Sequence, residues 1–199
     1  MAHEGLWEQL DGLDGAETAR RAKCQYVQEP ERYVVTMLTA EYVVDLSGRS
    51  ILVVPSERPA VFLEQLCILA YLINARDMPP VGKLVNGLAL PGGQFFFRGV
   101  HNLPNSKLEE TFGDRPEVLL QVSAQFGAKG CEFGDASIEL NVLPRVPLTM
   151  VVWRRCEEFE ARASILFDKG VADQLALDAL LAAVNLAVKA LTEAAAEIF

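Results

Sequence analysis

The sequence predicts an α+β fold built from two antiparallel β-meanders, each followed by a long helix, with extra helices flanking the sheet. Three observations carry that expectation. Residues 33–54 switch to a period of two in the runs YVVTML, EYVVDL and SILVV, joined by tight connections at Thr39-Ala40 and Ser47-Gly48-Arg49. A second group of strand-like runs fills residues 135–168. Each group precedes a run with apolar residues at helical spacing, AVFLEQLCILAYLINA and then residues 171–198. A single domain over residues 1–199 is expected, with a helical N-terminal flank (1–30), a first meander and helix (33–75), a helical middle (90–127) and a second meander with the C-terminal helix (135–199).

Composition bounds what such a domain does. With 51% hydrophobic and 23% charged residues the chain falls in the globular class. At 199 residues it can bury about two thirds of its unfolded surface. Twenty-seven acidic against eighteen basic residues give a net charge of -9, which opposes phosphate backbones and anionic lipid, so neither nucleic acid nor membrane is an expected partner. Cys24, Cys67, Cys131 and Cys156 lie far apart, with no CxxC and no histidine at ligand spacing. That excludes a zinc or iron-sulfur signature and suits reduced thiols in a cytoplasm. The N-terminus has no basic start and apolar core of a signal peptide, and no run approaches the roughly 18 to 20 apolar residues of a membrane helix. A soluble cytoplasmic protein is expected.

Along the chain, residues 3 to 27 read as a short helix around Leu6, Trp7 and Leu10, then a second that starts near Asp14, whose carboxylate caps AETARRAKCQY. Arg20, Arg21 and Lys23 read as a solvated helix face. After the first meander, Pro55 and Pro59 bracket Ser56, a cap candidate for the helix that follows; that helix is apolar on nearly all sides and therefore central. ARDMPPVG is a loop, and KLVNGLAL a short strand or an extended arm. In LPGGQFFFRGVHN, Gly92 and Gly93 start a helix whose bare first turn is a candidate anion site, or else they permit a tight turn and close packing of Phe95, Phe96 and Phe97. His101 reads as a capping or surface residue.

SKLEETFGDRPEVLLQVSAQFGAKG predicts two short helices, broken at Gly113 and stopped at Gly127, with Ser106 and Glu109 as a capping box. Ile138, Leu140 and Val142 alternate with Ser137, Glu139 and Asn141, so one face of that strand is buried and one wet. Pro144 and Pro147 enforce a turn around Arg145. LTMVVW is apolar on both faces and belongs inside the sheet, WRRCEEF makes the second hairpin, and FEARASILF exposes Glu160 and Arg162. Apolar positions 177, 180, 181, 184, 188, 191, 195 and 198 then step by threes and fours in a helix expected to lie across the sheet. SILVVPSERPAVFLEQLCILAYLINA and SILFDKGVADQLALDALLAAVNLAVKA share Ser-Ile-Leu and place Leu63 with Leu177, Leu66 with Leu180, Cys67 with Leu181 and Ala70 with Val184. Any two amphipathic helices can be slid into such agreement, so duplication stays open.

No GxSxG, Walker loop, HExxH or dinucleotide fingerprint occurs, and no catalytic residue, metal ligand or cofactor is assigned. Candidate binding residues are Gly92, Gly93, Arg145, Trp153, Glu157, Glu158 and Asp168. Carboxylates and an arginine at one hairpin end can bind a metal or run acid-base chemistry if burial moves a pKa toward neutrality. Adjacent Glu157 and Glu158 point apart if extended, and the alternative is a rim of mutually neutralising surface charges. Trp153 closes the central strand and reads as core rather than as a stacking platform.

LPGGQFFF, then GDASIELNVLPRVPLTMVVW, then EEFEARASILFD and a leucine-rich helix resemble, in that order, the family catalogued as domain of unknown function 3786. The likeness extends back to ILAYLINA and EYVVDL and covers nearly the whole chain. Its most specific pieces are Leu90-Pro91-Gly92-Gly93, Leu143-Pro144-Arg145 with Pro147, and Trp153 with Glu157-Glu158-Phe159 and Leu166-Phe167-Asp168. The resemblance brings no established activity. It implies the company of anaerobic bacteria and archaea, where some members look like fusions to a cysteine-rich iron-sulfur domain that this chain lacks. The chain departs from the pattern at Cys156, where the family favours Asp, and at Ala89, where an acid often precedes LPGG; a site built on those acids would be altered here.

The leading expectation is therefore a binding or accessory module for a small molecule or an iron-sulfur or redox partner protein, in anaerobic redox or cofactor metabolism. The alternative is an enzyme whose carboxylates and Arg145 or Arg155 meet the LPGG helix start, metal-assisted or not. The second alternative is a structural homodimer through the last helix, whose end carries Leu191, Ala195, Ile198 and Phe199.

Overall fold

A computed structural model describes residues 3–198. Helix α1 (Glu4–Asp11) buries Trp7 and Leu10, and α2 (Gly15–Ala22) begins where the Asp14 carboxylate accepts the Glu17 N–H at 2.8 Å. Helix α2 is shorter than expected: Lys23 turns left-handed at φ 52° and its N–H closes on Arg20 and Ala19 carbonyls. Residues 25–27, expected in the helix, belong instead to strand β1 (Gln25–Gln28). The rest of the first sheet is β2 (Glu31–Met37), β3 (Ala40–Asp45), β4 (Ser50–Val54) and β5 (Arg58–Pro59), antiparallel in chain order. The predicted meander is the centre of this sheet, with Tyr33, Val35, Tyr42, Val44 and Ile51 alternating into the core.

Ser56 is not a helix cap. It sits in the β4–β5 turn, where its hydroxyl donates to the Val53 carbonyl, and the cap of α3 (Phe62–Asn74) comes from within: the Glu64 carboxylate accepts the Val61 N–H at 2.8 Å. Residues Cys67 through Leu72 are all buried, so α3 is central as its composition requires.

KLVNGLAL supplies β6 (Leu84–Asn86), an edge strand of the second sheet, and α4 (Gly93–Phe96) follows as a single turn. The capping box also fails: α5 (Asn105–Phe112) begins one residue before Ser106, and the Glu109 carboxylate accepts the Ala163 N–H at 2.9 Å instead. After α6 (Glu117–Ser123), strands β7 (Lys129–Gly130), β8 (Ala136–Leu143), β9 (Val146–Trp153) and β10 (Arg162–Asp168) form an antiparallel sheet in the order β6-β10-β9-β8-β7. Ser137, expected on the wet face, is buried because residues 131–134 fold back and the Phe133 N–H donates to its hydroxyl.

The last helix, α7 (Leu177–Ala196), starts six residues later than the pattern suggested, after a 3-10 turn at Val171–Asp173. It packs on α3, α5 and α6 and touches β8. With 20 residues and a mean hydropathy of 1.5 it is long and apolar enough to cross a membrane, contrary to expectation, yet half of it is buried inside the fold as in a core helix. Leu191 and Ala195, offered as a dimer face by the sequence, are spent on this core; Phe199 lies outside the described residues.

The two halves repeat one plan. Two short helices, four consecutive antiparallel strands and a long helix occur as α1-α2-β1-β2-β3-β4-α3, with β5 inserted between β4 and α3, and again as α5-α6-β7-β8-β9-β10-α7. In each half the short helices pack on the long one, and β5 and β6 occupy matching edges beside β4 and β10. The long helices pack on each other, and the Leu38 N–H donates to the Val142 carbonyl at 2.7 Å, joining the β2–β3 turn to the end of β8. Like-to-like contacts of this kind are what a twofold relation between halves produces.

Candidate functional site

Strand β9 carries Arg145 just before its start and Trp153 at its end, which separates them by roughly 25 Å of extended chain. The structure therefore divides the candidate residues. Near Arg145, the guanidinium Nε donates to the Arg21 carbonyl at 2.7 Å, Nη1 donates to the Met78 carbonyl at 3.1 Å, and Nη2 pairs with Asp77. Asp168 lies at the same end of the sheet, buried, and its carboxylate accepts the N–H groups of Val81 at 3.0 Å, Gly82 at 2.6 Å and Gly170 at 2.8 Å. Both side chains are occupied in holding the 77–82 segment against the sheet.

Gly92 and Gly93 stand apart from both ends. A Cβ at Gly93 would lie 1.9 Å from the Gly87 carbonyl oxygen, and the Gly93 N–H already donates to the Leu90 carbonyl at 2.8 Å. The glycines serve a tight turn (Gly92 φ 75°) and a close backbone approach, and a one-turn helix offers an anion no array of free amides. The alternative of close phenylalanine packing holds in part. Phe97 is buried against Phe167 with ring centroids 6.0 Å apart, Phe96 stacks on His101 at 4.7 Å, and Phe95 faces solvent.

Glu157 and Glu158 lie on the exposed 154–160 connection. Beside them Arg154 pairs with Glu117 at 2.6 Å, and Arg155 pairs with Asp114 at 3.0 Å and Glu160 at 2.9 Å. These are surface pairs of small individual worth. No shielded carboxylate pair meets the glycines or Arg145, and among the described residues no three His, Cys, Asp or Glu side chains come together in a way that could hold a metal.

Trp153 is the exception among the candidates. It is 42% exposed rather than core, because Val152 takes the inward position at the end of β9. Behind it, Gly134 at φ 58° leaves no room for a side chain: a Cβ there would lie 2.8 Å from Val151 and 3.3 Å from the Trp153 ring. The indole borders an open groove of about 580 Å³ with Phe159, Cys156, Arg162, Ser164 and Asp135. Arg162 lies directly opposite Trp153 in the β9–β10 ladder and makes no ion pair among the described residues, while Asp135 accepts the Arg154 N–H at 2.8 Å. Sequence reasoning named Phe159 as part of a family match and Arg162 as an exposed strand residue, neither as a binding candidate, and did not name Ser164. The period-two pattern of RASILF held the signal, since it sets Arg162 and Ser164 on the face opposite Ala163, Ile165 and Phe167.

Two further groups lie apart from the candidate residues. Glu64 is buried and accepts hydrogen bonds from Tyr42 Oη at 2.9 Å and from the two Nη atoms of Arg58 at 3.0 and 2.8 Å. Burial alone would raise its pKa; the Arg58 guanidinium, the Val61 N–H and the Tyr42 hydroxyl outweigh burial and hold the carboxyl below its ordinary value. Burial pushes the Cys24 and Cys67 thiols up to about 12, which makes them poor nucleophiles. Cys156, by contrast, is exposed at the groove.

No curated protein and no solved structure matches the chain significantly. A family match does cover it: the family described as Domain of unknown function (DUF3786) matches residues 14–190, from the cap of α2 into the last turns of α7, and the chain belongs to that family.

Proposed function

We propose that this protein is a binding module whose ligand lies in the groove between Trp153 and Phe159. The observation that carries the reading is the half-exposed indole lining, together with Phe159, an open concavity that also holds Arg162, which makes no ion pair among the described residues. Large aromatic faces left in water beside a free cation suit a flat, apolar ligand that carries a negative charge. The enzyme alternative finds no support in the carboxylates, since Glu157 and Glu158 are exposed and Asp168 is taken up by the backbone N–H groups of Val81, Gly82 and Gly170. The iron-sulfur company implied by the family resemblance favours a ligand or partner from anaerobic redox or cofactor metabolism.

The probe for this reading is 8-anilino-1-naphthalenesulfonate, an aromatic anion, titrated into a Trp7→Phe variant in which Trp153 is the sole tryptophan. Binding is expected to quench the Trp153 emission. Phe159→Ala and Arg162→Gln are each expected to weaken binding about tenfold, the scale of one lost stacking or charged contact. Unchanged affinity in both variants would remove the groove from consideration.

A further inference from the structure

The outer face of the first sheet carries an apolar row where a solvated face is normally polar. Alternation along β2, β3 and β4 sends Tyr33, Val44 and Ile51 inward and their neighbours Val34, Val43 and Leu52 outward. These three lie directly opposite one another across the strands, half-buried and outside the cluster that forms the core. On one side of the row Arg32 is paired in register with Asp45, and on the other Thr36 is paired with Glu41.

On the second sheet the face turned away from the core is covered by the chain itself. Ser137 and Val151 are buried there under residues 131–134: the Phe133 N–H donates to the Ser137 hydroxyl at 2.9 Å, and a Cβ on Gly134 would lie 2.8 Å from Val151. That cover belongs to the connection between β7 and β8. In the first half the corresponding connection, between β1 and β2, is Glu29-Pro30 alone, too short to fold over its sheet.

We propose that a second copy of this chain covers the row, the two first sheets packing face to face about a twofold axis that runs along the strands between β2 and β3. Such an axis sets β2 of one copy over β3 of the other, so Val34 lands on Val43 and Arg32 on Asp45, each pair occurring twice. Thr36 lands on Glu41, beside Lys23, which lines a concavity of about 370 Å³ with Val34 and Thr36. Neither Arg32 nor Lys23 makes an ion pair among the described residues, so both are free to take a carboxylate of the second copy. An axis along the row instead would lay Asp45 on Glu41, carboxylate on carboxylate. Four strands about 4.8 Å apart give a face of roughly 20 by 17 Å, well short of the roughly 800 Å² per partner of a stable complex. The net charge of -9 also opposes self-association at long range. The dimer is therefore a weak one that forms at high concentration.

The test is sedimentation velocity of the intact protein from about 5 to 500 µM, a range that spans weak association. The weight-average sedimentation coefficient is expected to rise with concentration from the monomer value toward the dimer value. Arg32→Asp and Asp45→Arg should each weaken self-association at least tenfold, since the first sets carboxylates together across the axis and the second guanidinium groups. Mixed in equal amounts, the two variants should pair with each other about as tightly as the native chain pairs with itself, because each supplies the charge that the other lacks. Either substitution also sets like charges opposite within its own sheet, so circular dichroism melts accompany both. Val34→Thr keeps the β-branched shape, is safe for the fold, and should weaken pairing several-fold. A monomer across the whole range overturns the proposal. So does a dimer that all three substitutions leave intact, and so do two folded charge variants that stay monomeric when mixed.

Discussion

Glu64 is the residue on which the first half's geometry turns, since one buried carboxylate links β3 through Tyr42, β5 through Arg58 and the start of α3 through Val61. Its partners stabilise the charged form, so the folded pKa lies below the unfolded value of about 4.3. A carboxyl depressed in this way contributes stability that is fully present above the unfolded pKa and is lost as pH falls through the folded pKa. Glu64→Gln is therefore expected to cost about 2 kcal/mol or more at pH 7, the worth of charged hydrogen bonds in a buried pair. The cost should shrink as the pH drops below the unfolded pKa. Urea midpoints of both proteins across that range check it, and a pH-independent gap would sink the account. The contrast with Asp14 shows what a sequence can disclose. Asp14 caps an amide three residues away and was legible, whereas Tyr42 and Arg58 reach Glu64 across 22 and 6 residues through a turn that no local pattern specifies. Trp153 was misread for a different reason: runs of apolar residues identify a buried strand but not where along it burial stops.

At the scale of elements, the LPGG turn separates packing from chemistry. Gly93 has the Gly87 carbonyl where a methyl would go, so Gly93→Ala must displace backbone. A loss of about 1–3 kcal/mol or more is expected from such overpacking. Gly5, in α1, has nothing within 4 Å of its missing Cβ, and Gly5→Ala should instead gain about 0.5–1 kcal/mol from helix propensity. Thermal melts of the two variants in parallel read both signs, and equal effects would mean that the close approach is not what the glycine is for. Period and length made the strands β2–β4 and β8–β10 and the helices α3 and α7 legible in advance. The short edge strands β1, β5 and β7 were not, because two to four residues carry too little periodicity. Their pairing is dictated by the neighbouring strand rather than by their own composition.

At the scale of the molecule, the Ser-Ile-Leu match proved to mark corresponding places, the last central strand before the long helix in each half, at β4 and β10. The sequence held the register of that repeat but not its consequence, which is that α3 and α7 need one another. Helix α3 is apolar around most of its circumference, and it meets α1 and α2 on one side and α7 on the other. The Cys67 thiol donates to the Ala179 carbonyl at 3.4 Å across this contact. One hydrophobic cluster accordingly runs through both sheets. Either half alone would expose the face that its long helix buries against the other, and fragments of 77 and 122 residues bury a smaller share of their surface than the intact chain and have little stability to lose. Fragments 1–77 and 78–199, each prepared separately, are thus expected to show no cooperative melt by far-UV circular dichroism. Mixed in equal amounts they should recover the intact spectrum and a single transition, because association restores the α3–α7 contact and the Leu38 to Val142 bond together. A sharp transition in fragment 1–77 on its own would instead make the halves two independent domains, each with a core complete before the other is added.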